Sequence, residues 1–162
     1  MEQQQAIEAA KRYFLDDITH YGCAETIFMV LKEAYGLPEP NDPSAAMVLN
    51  GGIAYSGNLC GALGGAALAV GMLACHRIAE HGRAKVVARR TMMRLMDEFQ
   101  AQHGAICCRD LTGINFRDEK QHREFIESGV WRTRCMSQIE TVIRLLDVLL
   151  SPPSHLPPEV PT

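Results

Sequence analysis

Apolar positions recur along this chain with a spacing near 3.6 residues. No segment alternates convincingly at period two, so the pattern predicts helices throughout. Ile7, Ala10 and Phe14 fall at i, i+3 and i+7 and predict a first helix from about Gln3 to Asp16. His20, Tyr21 and Gly22 break the pattern. A second stripe of Ala24, Ile27, Phe28, Leu31 and Ala34 then predicts a helix from Cys23 to Gly36, a glycine placed to end it. Leu37 to Asp42, with Pro38 and Pro40, is a loop. Asp42-Pro43 reads as an N-cap followed by a first-turn proline and opens a short helix through Leu49.

Gly51, Gly52 and Gly57 mark an irregular connection. Cys60 follows, near the first turn of a Gly/Ala-rich helix predicted to reach about Glu80. Gly82 punctuates before a helix from about Arg83 to Gln102, whose inward face is Met92, Leu95, Met96 and Phe99. Gly104 and Gly113 bracket a short turn or helix carrying Cys107 and Cys108. A polar helix from about Asp118 to Glu127 comes next, and a last helix from Trp131 to Leu150. In that helix Cys135, Ile139, Val142, Leu146 and Leu149 share one stripe, which puts Cys135 on its buried side.

These elements predict an all-α fold: a single-domain bundle of about six to seven helices over residues 1–150, with the Gly/Ala-rich helix at its centre. Residues 151–162 hold five prolines in twelve positions and read as a flexible tail. The chain has 162 residues, enough to bury a core without disulfide staples. Aromatic residues are sparse at 6%, which suits closely packed helices. Net charge is −3, so no global field recruits nucleic acid or an anionic membrane. Leu59 to Cys75 is free of charged residues, but it is only 17 residues long and nine of these are Gly or Ala. A buried helix, not a membrane span, is expected. The opening MEQQQAIEAAKR lacks the apolar core of a signal peptide, so a reducing cytoplasm is the expected location. Cysteine clusters there more often bind metal or do redox work than form structural disulfides.

Six cysteines are present. Cys23 and Cys60 lie near predicted helix starts, where free amides and the helix dipole favour thiolate over thiol. Cys107 and Cys108 lie in a glycine-bracketed turn, and Cys135 lies on an inward stripe. No CxxC, paired CxxC or CxxCH is present, which excludes thioredoxin-type, zinc-ribbon and covalent-haem motifs. Ferredoxin-like runs of close cysteines are missing too. Any site must therefore be assembled from distant segments, one cysteine from each.

Cys60-Gly61-Ala62-Leu63-Gly64-Gly65 reads C-G-A-x-x-G. Before it come Gly22-Cys23-Ala24 and Gly51-Gly52; after it come Cys108-Arg109-Asp110-Leu111-Thr112-Gly113 and Cys135. This order resembles the C_GCAxxG_C_C family of small redox-active proteins with four signature cysteines, over roughly Ala6 to Leu150. The resemblance implies that Cys23, Cys60, Cys108 and Cys135 are the functional set, as redox-catalytic, cofactor-binding and metal-ligating residues alike. It sets Cys75 and Cys107 outside the pattern. The small residues after Cys60 allow a neighbouring helix or an inorganic cluster to approach backbone, with amides directed at sulfur.

Three functions fit such a set. An iron–sulfur cluster would make the protein an electron carrier, working with a redox partner protein. Reversible disulfides would make it a thiol–disulfide protein. A Zn(Cys)4 site would make it a non-catalytic binding module. Arg109 and Asp110 adjoin Cys108 and are candidates to support its sulfur. His20 and His76 sit near cysteines but complete no ligand pattern, and the basic run of Arg77, Arg83, Lys85, Arg89, Arg90 and Arg94 reads as a solvated face. The eight methionines read as core filler. No acid/base pair marks a stand-alone enzyme.

Overall fold

A computed structural model describes residues 1–151; the proline-rich tail expected over 151–162 lies, after Ser151, outside the described residues. Among the described residues seven α-helices form, with a 3₁₀ helix at Ser44–Leu49. They are α1 (Gln3–Phe14), α2 (Cys23–Ala34), α3 (Gly61–Arg77), α4 (His81–His103), α5 (Cys108–Thr112), α6 (Glu119–Ser128) and α7 (Trp131–Leu150). Among the described residues there is no strand beyond one isolated bridge, Leu59 to Cys107. The fold is all-α, as expected, and no described helix is long and apolar enough to cross a membrane.

Helix α3 is the hub. It packs most extensively on α2 and then on α4, while α7 lies against α1, α4, α2 and α3. The α2 to α3 contact is close because α3 carries almost no side-chain bulk in its first turns. A Cβ on Gly65 would stand 2.2 Å from the Ala24 carbonyl oxygen, and one on Gly61 would stand 2.4 Å from the Cys23 sulfur. Glycine there is a packing requirement rather than a matter of backbone freedom. Ile27, Leu95, Phe99, Ile139, Val142 and Leu146 are fully buried among these helices, at the inward positions their periodicity assigned, and Leu63 of α3 is buried with them.

Several boundaries move, each for a local reason. Helix α1 stops at Phe14, short of Asp16. The Asp16 carboxylate instead accepts from the Ile18 and Thr19 amides and makes a turn. The Asp42-Pro43 segment opens a 3₁₀ helix, with the Asp42 carboxylate accepting from the Ser44 amide at 2.9 Å. Helix α3 ends at Arg77, and α4 starts at His81 with Gly82 inside it. Its N-cap is Glu80, which accepts from the Gly82 and Arg83 amides. The methionines are not all filler: Met29 and Met136 are buried, but Met47 and Met93 are exposed. Residues Ile53, Ala54 and Tyr55 all take positive φ, +66°, +48° and +59°, forming a left-handed turn between the 3₁₀ helix and α3. Each costs on the order of 1–2 kcal/mol.

The α2 to α3 contact predicts opposite outcomes for two glycines in one helix. Gly65→Ala, blocked by Ala24, is expected to lower stability by about 1–3 kcal/mol or more. Gly71→Ala, with nothing within 4 Å of its new Cβ, is expected to raise stability by about 0.5–1 kcal/mol through helix propensity. Urea unfolding of both variants checks this.

Candidate redox site

The four signature cysteines reach one place from four segments. Cys23 is the first residue of α2, Cys60 is the N-cap of α3, Cys108 opens α5, and Cys135 lies one turn into α7. A charge on Cys23 acts on Cys60, Cys108 and Cys135, and a charge on Cys108 acts on Cys60 and Cys135. Cys60 and Cys108 are buried, while Cys23 and Cys135 are partly exposed. Cys75 is exposed near the far end of α3, roughly 22 Å along the helix from Cys60 at 1.5 Å per residue.

Short backbone pairing selects Cys108 over Cys107. The Cys60 amide donates to the Ile106 carbonyl at 2.8 Å, and the Cys108 amide donates to the Asn58 carbonyl at 2.6 Å. Leu59 and Cys107 therefore sit opposite each other in an antiparallel bridge. Side chains alternate across such a pairing, so Cys60 and Cys108 share one face and Cys107 takes the other. Burial agrees, with Cys60 at 2% and Cys108 at 7% exposure and Cys107 half-buried.

The N-terminus of α2 is closed by a side chain from elsewhere. Its own N-cap is Gly22, which has no side chain to offer. Asn50, at the end of the 3₁₀ helix, supplies the missing group: its Oδ1 accepts from the Ala24 amide at 3.0 Å and stands 4.0 Å from the Cys23 sulfur. Its Nδ2 donates to Glu25 Oε2 at 2.7 Å, and that same oxygen accepts from the Gly22 amide at 2.8 Å. A Cβ on Gly22 would lie 2.2 Å from Asn50 Oδ1, so the glycine before Cys23 is what admits the asparagine. On the opposite wall the Cys60 thiol donates to Oε1 of Gln138, a buried amide on α7, at 3.5 Å.

Burial outweighs the amides in setting protonation. It pushes the Cys23 thiol up, and the Ala24, Gly51, Cys23 and Ala62 amides pull it back only in part. Burial and then the Cys23 charge hold Cys60 well above the usual thiol range. The same two causes push Cys108 to about 12, and they push Cys135 up against the opposing Arg134 guanidinium. The expectation that helix starts would favour thiolate at Cys23 and Cys60 is thus overturned at both: desolvation of a buried charge exceeds what the nearby amides return.

Asn50, Glu25, Gln138 and Arg134 were not singled out from sequence. Asn50 and Gln138 act on partners 25 or more residues away, as does Glu25 through Asn50, while the neighbour of Arg134, Cys135, was in plain view. Arg109 and Asp110 are exposed. The Arg109 guanidinium donates to the Ser56 carbonyl at 3.3 Å, so it fastens the left-handed turn instead of supporting the Cys108 sulfur. His20 and His76 are also exposed. Four thiols are the donor set of a soft metal or a cluster. As arranged, however, no three His, Cys, Asp or Glu side chains among the described residues are grouped to hold a metal ion.

A family model described as "Putative redox-active protein (C_GCAxxG_C_C)" matches residues 21–149, most of the chain and all four cysteines. No curated protein and no solved structure matches it.

Two outcomes follow from this geometry. Asn50→Ala leaves the Ala24 amide and the Glu25 carboxylate each short of a partner, and is expected to cost about 1–3 kcal/mol in urea unfolding. Stability of the reduced protein is expected to fall as pH rises above about 8.5, where unfolded thiols ionise and the folded ones keep their protons. For Cys108 that loss accrues until about pH 12, its folded value, at roughly 1.4 kcal/mol per pH unit. Urea midpoints measured between about pH 8 and pH 10 check the slope, which should shrink in Cys108→Ser.

Proposed function

We propose that this chain, which belongs to the C_GCAxxG_C_C family of redox-active proteins, is a dithiol redox protein. In this reading Cys23, Cys60, Cys108 and Cys135 form disulfides within the set and are reduced again by exchange with a disulfide-bearing or dithiol partner. The observation that carries this reading is the gathering of four thiols, from four segments, within Coulombic reach of one another. Four buried thiolates together would repel strongly. Protons on sulfur or sulfur–sulfur bonds remove that charge without a counter-ion. The thiol contacts from Cys60 to Gln138 and from Cys23 to Asn50 support a resting dithiol state.

The small residues around Cys60 and the amides directed at Cys23 are also features of iron–sulfur sites. Among the described residues, however, the side chains do not stand as a ready ligand group.

Alkylation of reduced and oxidised samples followed by mass spectrometry tests the proposal. One or two disulfides confined to the four cysteines, with Cys75 alkylated in both states, is the expected result. Identical alkylation of the four in both states would overturn it. Stoichiometric iron after anaerobic reconstitution, lost in Cys→Ser variants of the four, would replace it with a cluster reading. Stoichiometric zinc lost in the same way would replace it with a structural site.

A further inference from the structure

We infer that Gln138 is a positioning residue that poises Cys60 toward its reduced, thiol form. The inference rests on the dithiol reading above and concerns how strongly that site resists oxidation.

Gln138 is the one polar side chain among the buried residues of α7, where Met136, Ile139, Val142, Ile143 and Leu146 complete the inward side. It is 4% exposed. An amide in such a place costs free energy unless it is hydrogen-bonded, and a leucine or methionine of similar size would carry no such cost. The other buried polar side chains serve backbone or side-chain oxygen and nitrogen. Lys32 donates to the Glu39 and Asp42 carbonyls, the Thr112 hydroxyl donates to the Cys108 carbonyl, and Glu25 accepts from Asn50 and the Gly22 amide. Thr26 Oγ1 has no partner among the described residues. Gln138 differs from them all: among the described residues its hydrogen bond is the one that its Oε1 accepts from the Cys60 thiol.

The rest of Cys60 is already fixed. Its amide donates to the Ile106 carbonyl at 2.8 Å, and its carbonyl accepts from the Gly64 amide at 2.9 Å. What the backbone leaves free is rotation about the Cα–Cβ bond. The Gln138 oxygen selects the rotamer that turns the sulfur toward α7. Ile139 and Val142, both fully buried, hold that stretch of α7 in place.

The bond depends on the hydrogen. A thiol donates to Oε1, whereas a sulfur in a disulfide has no hydrogen to give. Oxidation of Cys60 therefore leaves a buried carbonyl oxygen facing sulfur without a donor, a cost the reduced form does not carry. The reaction it acts on is exchange with glutathione disulfide. Cys60 and a second thiol of the set each lose a hydrogen and join through one S–S bond. The S–S bond of glutathione disulfide breaks, and its two sulfurs take up the two hydrogens and two electrons as two glutathione thiols. Gln138 shifts that equilibrium toward the protein dithiol.

Cys75→Ser and Cys107→Ser confine the chemistry to the four cysteines. This parent and its Gln138→Leu and Gln138→Met variants are equilibrated anaerobically at graded ratios of reduced to oxidised glutathione. Alkylation and mass spectrometry read the oxidised fraction. Both variants are expected to hold their disulfide against an equilibrium constant shifted by about 5- to 10-fold toward the oxidised form. A shift of less than about twofold overturns the inference and leaves the dithiol reading standing. No disulfide in the parent at any ratio overturns both. The infrared S–H band gives a second readout, one that a purely structural role would not move. In the reduced parent, the band lost in Cys60→Ser is expected below that of an alkanethiol in hexane. It is expected to rise in Gln138→Leu. A parent band at the alkanethiol position overturns the inference, and it decides even where the Gln138 variants do not fold.

Discussion

The close crossing of α2 and α3 at their N-termini is the constraint on which the rest of this molecule depends. Two helices can approach so near only if one of them lacks side chains at the contact. Gly61 and Gly65 meet that condition by leaving room for the Cys23 sulfur and the Ala24 carbonyl. The approach has a second consequence at Gly22. A helix start with a bare glycine N-cap would leave its first amides without acceptors. Asn50 enters the space that a Gly22 side chain would fill and accepts from Ala24, as an N-cap side chain does. Glu25 ties Asn50 and the Gly22 amide together from the other side. One contact between helices thus fixes the cap, the glycine before Cys23 and the position of the Cys23 sulfur at once.

The gathered sulfurs set a contest between two electrostatic effects. Helix starts and loop amides favour negative sulfur, while burial disfavours it. Burial prevails at all four positions. Mutual repulsion then adds to it, because a charge on Cys23 raises the cost of a second charge on its neighbours. Sulfur chemistry in such a cluster proceeds one ionisation at a time. A site with these properties holds its protons at rest.

Much of the scaffold was legible in the sequence, because helix periodicity is a local property. Helix α7 runs over Trp131–Leu150 as its stripe requires, and α2 begins at Cys23 as expected. Boundaries moved where short polar side chains competed with the helix for backbone amides, as Asp16 and Asp42 do. The four cysteines were recognisable as a set only through the family pattern. Their separation by 37, 48 and 27 residues carries no local signal that they meet. Asn50 and Gln138 were invisible for the same reason, since each acts on a cysteine far away in the chain. The protonation of Cys23 and Cys60 was misjudged because helix-end amides can be read from position, but desolvation depends on what the finished fold buries.

The left-handed turn at Ile53–Tyr55 follows from the same assembly. Three successive non-glycine residues at positive φ persist only where the surroundings over-determine the backbone. Here they do. The Ala54 amide donates to the Val48 carbonyl at 2.8 Å, the Gly57 amide to Gly51 at 3.0 Å, and the Asn58 amide to Gly52 at 3.1 Å, while Tyr55 stacks against Phe116. Both ends of the segment belong to the site. Gly51 directs its amide at Cys23, and the Asn58 carbonyl accepts from Cys108. A relaxed, open loop would have left α2 and α5 free to drift apart. The cramped turn acts as a short tie between them, and its conformational cost is offset by the contacts that hold Cys23 and Cys108 in reach of each other.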